Sequence, residues 1–177
     1  TSPDNNRRRD RPGGGPPSRR DVSRPHHPEG PTLDRQDYID AILEHFESPY
    51  NKGRMEDASI DLGGGNPGCG DLIVMYLKIG EDERIEKASF EGEGCTISQA
   101  GGSIISEMIE GMTIDELKAL GTDTMREEMG DDVVKSRVRC ATLALGTAQA
   151  AADAWRRDQR RAADGLDSAE TPERFEN

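Results

Sequence analysis

The sequence predicts an α+β domain in which several helices pack against one small antiparallel three-stranded sheet. Three observations predict this fold class. Apolar residues recur at helical spacing before residue 50 and again after residue 95. Strand-like runs stand between these two stretches, and glycine-rich or acidic breaks divide them. This order of a helix, then strands, then helices is typical of a sheet with its helices on one face.

The first predicted helix begins after Asp34, whose carboxylate can cap it. The helix ends at Ser48-Pro49 because a residue before proline avoids the α region. His45 lies in the last turn, where we expect a helix-end or surface role rather than a metal ligand. The apolar face at positions i, i+3, i+4 and i+7 consists of Ile39, Ile42, Leu43 and Phe46.

Three strands follow in the prediction. Residues 58–62 alternate weakly, and the glycine-rich residues 63–68 are expected to break the chain after them. Residues 72–79 form an apolar, β-branched run that is too short for a typical helix. A turn at residues 80–83 leads to residues 85–90, the predicted antiparallel partner.

After the strands the period becomes helical. Gly111 helps to end the first of these helices, and Thr113 with Glu116 forms a capping box for a short one. Residues 124–127 form a similar signal, and a final helix is predicted to begin near Cys140. The apolar positions of the first and last of these helices are Ile104, Ile105, Met108, Ile109, Met112, and Ala141, Ala144, Ala148, Ala151, Ala152, Trp155.

Composition divides the chain into three parts. Residues 1–33 contain arginine, proline and glycine runs with almost no large apolar side chain, so we predict a disordered tail. Residues 34–157 are the predicted folded domain. Residues 158–177 are polar and are predicted to be a frayed tail.

Charge excludes several classes of partner. Residues 35–157 carry 24 acids against 13 lysines and arginines, which opposes binding to nucleic acid. The arginines of the first tail are interleaved with acids and lack aromatic neighbours on which bases could stack. No apolar run is long enough for a membrane span or a signal peptide. We therefore expect a cytoplasmic protein with reduced thiols.

Three cysteines are the main functional signal: Cys69, Cys95 and Cys140, spaced by 26 and 45 residues. No close pair exists, and an odd number argues against a disulfide framework. With Asp71, on a glycine-rich loop beside Cys69, they would suit Zn²⁺ or an iron–sulfur cluster. The alternative is three unrelated buried side chains. Cys95 and Cys140 stand at predicted helix starts, which would lower the pKa of each thiol.

Four segments together carry a resemblance to a known family. Residues 45–53, 66–71, 90–100 and 139–143 resemble the opening block and the three cysteine motifs of the IscU/SufU/NifU N-terminal family, and the likeness spans residues 35–157. The resemblance implies a scaffold that receives sulfur from a cysteine desulfurase, assembles an iron–sulfur cluster and transfers it to apo-proteins or carriers. It leaves a homodimer open.

The resemblance also implies roles for single residues. Cys69, Cys95 and Cys140 would be thiolate ligands of a transient [2Fe–2S] cluster or of zinc, and Asp71 would be the labile carboxylate ligand. Sulfur would arrive as a persulfide on Cys69 or Cys140, and the sequence leaves that choice open.

Arg139 is the main departure from the IscU pattern, because IscU members have histidine before the third cysteine. A basic residue there resembles SufU, so the alternative function is a zinc-dependent sulfur acceptor (a sulfurtransferase) that stimulates a desulfurase. The short spacing from Cys95 to Cys140 is nevertheless IscU-like. Arg139 would either contact Asp71 or a persulfide, or be a solvated charge. A structural zinc module without sulfur traffic is a third hypothesis.

Overall fold

The computed structural model describes residues 33–164. Apart from Leu33, the tail predicted at residues 1–33 lies outside the described residues, as do residues 165–177. The described elements are α1 (Arg35–Glu47), β1 (Ile60–Asn66), β2 (Asp71–Ile79), β3 (Ile85–Glu93), α2 (Thr96–Met108), α3 (Ile114–Ala119), α4 (Thr122–Met129), α5 (Asp131–Val134), α6 (Val138–Ala141) and α7 (Leu143–Ala163). This order confirms the predicted α+β class.

Helix α1 begins and ends where the sequence predicts. The Asp34 carboxylate accepts the N–H of Asp37 at 3.1 Å, and the Asp37 carboxylate accepts the N–H of Asp34 at 2.7 Å. The last helical residue is Glu47, two positions before Pro49. Ile42 is its one buried side chain, and it faces the core that α1 shares with α2.

The sheet has β2 in the centre, antiparallel to both neighbours. Helix α7 packs on β1 and β2, and α2 packs on β3, so the core lies between these two helices and one face of the sheet. The register pairs Asn66 with Asp71, which leaves only residues 67–70 to turn between β1 and β2. This tight turn places Cys69 at one end of the sheet.

The prediction that residues 63–68 break the chain is wrong, because β1 continues through Asn66. The reason is a close approach by α7. A Cβ atom on Gly64 would lie 2.1 Å from the Thr147 hydroxyl oxygen, so only a residue without a side chain fits beneath this helix. Gly64 is therefore the position of β1 at which α7 comes closest to the strand.

The later helices differ from the prediction in their bounds. Helix α4 begins at Thr122 after Gly121, so the signal at residues 124–127 lies inside it. Helix α7 continues six residues past position 157, and residues 157–164 are exposed on it. Cys140 belongs to the separate short helix α6 rather than to the start of α7.

Within residues 33–164, no helix combines the length and the apolar character that crossing a bilayer requires.

Candidate metal and sulfur site

Three of the four predicted ligands meet at one end of the sheet. Cys69 is exposed on the turn before β2, Asp71 is the first residue of that strand, and Cys140 lies in α6. One ligand atom from each lies within 4.8 Å of the others, although Cys69 and Cys140 are 71 positions apart. Asp71 is wholly buried and Cys140 is 1% exposed. The fold therefore builds a site with one accessible thiol above two buried donors.

Cys95 borders this group through Asp71. It is the N-cap of α2 and is half-buried. Its backbone N–H donates to Asp71 Oδ1 at 2.8 Å, and its Sγ lies 3.8 Å from Asp71 Oδ2. Cys95 is outside the group of three, so the structure brings it beside the site without placing it in the tightest set.

The turn that carries Cys69 is held by Asn66. Its carbonyl oxygen accepts the N–H of Cys69 at 3.0 Å and the N–H of Gly70 at 2.9 Å. Its buried side-chain amide donates to Cys140 Sγ at 3.4 Å. Asn66 thus connects the first cysteine to the third. No local sequence signal reveals this role, because the direction of the Asn66 amide depends on the pairing of β1 with β2.

Gly94 lets the loop before α2 come against the carboxylate. Its φ of +154° is strained for residues with side chains. A Cβ atom there would lie 2.4 Å from Asp71 Oδ1 and 2.7 Å from the Ser98 hydroxyl oxygen. The glycine before Cys95 is therefore needed for the hydrogen bond between the Cys95 N–H and Asp71.

Asp71 is held in its ionised form. Burial alone would raise the pKa of its carboxyl group, but the N–H of Cys95 and the side chains of Cys140, Ser98 and Cys95 act together to lower it below its usual value. At neutral pH the site therefore contains an anionic oxygen donor inside the protein.

Cys140 behaves in the opposite way. Burial, followed by hydrogen bonds with Asp71, Cys69 and Cys95, raises the pKa of its thiol well above the usual range. The predicted lowering by a helix start is wrong for this residue, because Cys140 is the third residue of a four-residue helix and is covered. A bound cation would reverse the effect, since metals bind thiolates and displace the proton.

The basic residue next to the thiols is Arg137 rather than Arg139. A hydrogen bond with Cys95 and the charges of Cys95, Cys69 and Cys140 raise the pKa of the Arg137 guanidinium. Arg139 is exposed and makes no hydrogen bond or ion pair within the described range, which agrees with the solvated-charge alternative. No sequence signal distinguishes these two arginines. Their places in α6 do, because Arg137 is the N-cap of the helix and Arg139 lies within it.

His45 is engaged away from the site. Its Nδ1 lies 2.8 Å from the Ser103 hydroxyl oxygen, which also accepts the N–H of Tyr50 at 2.8 Å. The ring therefore fastens the end of α1 to α2, as expected for a helix-end histidine.

The donor set suits a thiophilic metal. Cys69 and Cys140 offer sulfur and Asp71 offers a harder oxygen within the group of three, and Cys95 beside Asp71 offers the fourth donor that a tetrahedral site requires. Zinc and iron both accept such a set. Neither arginine can be a ligand, because guanidinium stays protonated in proteins.

Comparison with known proteins agrees with this site. The family model for the NifU-like N-terminal domain matches residues 37–162. The iron-sulfur cluster assembly scaffold protein IscU 1 of Archaeoglobus fulgidus is 38% identical over 120 residues, covering 68% of this chain and 72% of that protein. The zinc-dependent sulfurtransferase SufU of Bacillus subtilis is 34% identical over 123 residues, covering 60% of this chain and 82% of that protein.

A solved structure agrees as well. An iron-sulfur cluster assembly scaffold protein for the SUF system from Fervidobacterium islandicum AW-1 is 28% identical, with a TM-score of 0.51. The match covers 63% of this chain and 93% of that one. The chain therefore belongs to the NifU-like N-terminal domain family, together with its IscU and SufU relatives.

Proposed function

We propose that this protein is a scaffold on which an iron–sulfur cluster is assembled and from which it is passed to apo-proteins. The observation that carries the proposal is the group formed by Cys69, Asp71 and Cys140, whose ligand atoms lie within 4.8 Å of one another. Cys95 adds a third thiol beside Asp71. The similarity to IscU scaffolds supports the same function.

Sulfur enters at Cys69 in this proposal. A cysteine desulfurase would carry the sulfur as a persulfide on a mobile residue, and an acceptor thiol must be reached from solvent. Cys69 is exposed, whereas Cys140 is buried. Accessibility therefore favours Cys69 as the first acceptor, a choice that the sequence left open. Reduced thiols of this kind suit a cytoplasmic protein.

The cluster itself is cargo. Thiolates of Cys69, Cys95 and Cys140 would hold its iron through soft donors, and the Asp71 carboxylate would supply the weaker, harder bond. This weaker fourth bond would break first when an acceptor protein takes the cluster. Retention and release are thereby divided between different residues of one site.

Anaerobic reconstitution tests this proposal. The full chain is incubated with a cysteine desulfurase, L-cysteine and Fe²⁺, and the expected result is sulfur-to-iron charge-transfer absorption followed by transfer to an apo-ferredoxin. Serine at any of Cys69, Cys95 or Cys140 should impair assembly, whereas Asp61→Ala, an exposed acid on β1, should leave it unchanged. Size-exclusion chromatography of the loaded protein reports whether two chains share a cluster. Absence of both absorption and transfer contradicts the scaffold function.

A second function is favoured by one specific observation. Arginine rather than histidine precedes Cys140, and the chain is 34% identical to a zinc-dependent sulfurtransferase. In this alternative, Zn²⁺ held by Cys69, Asp71, Cys95 and Cys140 would organise the thiols for accepting sulfur. The expected result is stoichiometric zinc in the purified protein and stimulation of the desulfurase that disappears on chelation. A metal-free chain that stimulates equally well contradicts it.

A further inference from the structure

We propose that Cys140 reduces a persulfide formed on Cys69, releasing sulfide and leaving a Cys69–Cys140 disulfide. The chain would then convert sulfane sulfur into the sulfide that a cluster requires, using its own two thiols as the electron source. This inference rests on the proposed function in one respect, because the persulfide on Cys69 is the form in which a desulfurase delivers sulfur.

The contact between the two sulfur atoms carries the inference. Cys140 Sγ lies 3.3 Å from Cys69 Sγ, close enough for a short movement to form a bond. The Cys69 side chain is exposed on its turn whereas Cys140 is buried, so Cys69 is the partner with room to move. The side chain of Asn66 donates to Cys140 Sγ at 3.4 Å and keeps the buried sulfur in place.

The two thiols differ in their exposure to solvent, and this difference suits them to different roles. The exposed Cys69 can meet a partner protein, whereas Cys140 is 1% exposed and can be reached only from inside the site. A persulfide on Cys69 would therefore meet Cys140 before it met a small thiol from solvent. Thiol–disulfide exchange depends on which sulfur the attacking thiol can reach, and Cys69 Sγ is the sulfur that Cys140 contacts.

The step balances in atoms and electrons. The sulfur of Cys140 bonds to the Sγ of Cys69, and the sulfur–sulfur bond of the persulfide breaks with its electron pair on the terminal sulfur. The Cys140 proton passes to that sulfur, which leaves as hydrosulfide. The terminal sulfur gains two electrons, and the two cysteine sulfurs together lose two. A small-molecule thiol is needed afterwards to reduce the disulfide.

The proton has a short path to the leaving sulfur. Cys69 Sγ, Cys140 Sγ and a carboxylate oxygen of Asp71 lie within 4.8 Å of one another. A terminal sulfur that left without a proton would be a dianion, which is a poor leaving group. The Cys140 proton therefore passes to it across the contact between the two cysteines.

Attack on the terminal sulfur is the competing reaction. It would move the persulfide from Cys69 to Cys140 and release no sulfide. The geometry points to attack at Sγ because the close contact joins the two Sγ atoms themselves.

The test uses the full chain, reduced, metal-free and desalted under anaerobic conditions. Inorganic polysulfide loads Cys69, excess reagent is removed, and intact mass and free sulfide are followed over time. We expect the adduct of one sulfur atom to convert to a species lacking two hydrogens relative to the reduced chain, with one sulfide released per chain. The rate should be independent of protein concentration, and peptide mapping should find Cys69 joined to Cys140.

Matched variants complete the test. Cys140→Ser should keep the adduct on Cys69 and slow sulfide release by at least about tenfold. Cys95→Ser should still form the disulfide. Circular dichroism checks that each variant is folded, and Cys140→Ala replaces the serine variant if it is not. The proposal is overturned if wild type keeps its adduct, if the sulfur moves to Cys140 without sulfide release, or if the disulfide involves Cys95.

A second arm separates this inference from the proposed function. There a cysteine desulfurase with L-cysteine replaces polysulfide as the sulfur source. Loading by polysulfide but not by the desulfurase would contradict the proposed delivery and leave the intramolecular step standing. Loading by both with a stable adduct would contradict the intramolecular step alone.

Discussion

Replacing Asp71 by alanine separates the holding of a cluster from its release. The substitution removes the one oxygen donor among the four site residues and leaves all three thiols. We expect cluster assembly to persist and cluster transfer to become slower. The physical reason is that a carboxylate bond to iron exchanges more readily than a thiolate bond, so its loss removes the bond that would break first when the cluster leaves.

The structure sets the magnitude for stability. Asp71 Oδ1 accepts the N–H of Cys95 at 2.8 Å, and a charge-assisted hydrogen bond of this kind is worth about 1.5–3 kcal/mol. Removing a buried carboxylate also removes its desolvation cost, which offsets part of that loss. We therefore expect the metal-free variant to lose about 1–2 kcal/mol of unfolding free energy. Such a change lowers Tm by several degrees and leaves the domain folded.

Stopped-flow transfer of a reconstituted cluster to apo-ferredoxin measures the functional effect. The expected rate for Asp71→Ala is lower by about tenfold, equal to about 1.4 kcal/mol in activation free energy. Asp61→Ala is the matched control, since it removes an exposed acid from β1. Equal transfer rates for Asp71→Ala and wild type would refute the labile-ligand reasoning, even if the variant were less stable.

Three further predictions concern packing, pH and the arginines. Gly64→Ala should lower the unfolding free energy measured in urea by about 1–3 kcal/mol, because its Cβ would lie 2.1 Å from the Thr147 hydroxyl oxygen. Adding Thr147→Ala to the same chain should restore part of this loss, and the absence of any rescue would contradict the packing explanation. The fold lowers the pKa of Asp71, so the ionised carboxylate stabilises the protein above the unfolded pKa of about 3.9, and this stabilisation is lost as the pH falls through the folded pKa. The unfolding free energy of metal-free Asp71→Ala should therefore lack this decrease at acid pH. Arg137→Gln should slow alkylation of the site thiols at neutral pH by about threefold, whereas Arg139→Gln should not. The reverse order would contradict the assignment of Arg137 as the basic residue beside the thiols.

The elements that the sequence predicts correctly are those whose signals are local. The N-cap at Asp34, the capping box at Thr113 and the apolar run of β2 each depend on residues a few positions apart. The glycines of β1 predict a break, which is wrong, because the role of Gly64 depends on Thr147, which is distant in sequence. A glycine run has the same local appearance in a turn and beneath a closely packed helix.

At the functional site, too, some features follow from the local sequence and others depend on tertiary contacts. The identity of its ligands follows from residue type and from the family resemblance. The difference in exposure between these ligands does not follow from the sequence. The exposure of Cys69 and the burial of Cys140 arise from the turn after Asn66 and from the position of α6. The opposite pKa shifts of Asp71 and Cys140 likewise depend on which N–H and which thiol point inward. Sequence motifs specify the donors, and tertiary structure specifies their order of access.

That order of access distinguishes this site from a closed structural zinc site. A closed structural zinc site would have four equivalent, covered donors, whereas here one thiol faces solvent and the weakest donor is the deepest. In the proposed function an entering sulfur atom would meet Cys69 first, because Asp71 and Cys140 are covered. Arg137 adds positive charge beside the thiols in a chain whose formal net charge is −12, which lowers the cost of gathering anionic sulfur there. An exposed acceptor thiol beside covered donors is the property that the proposed scaffold requires and that a structural zinc module does not.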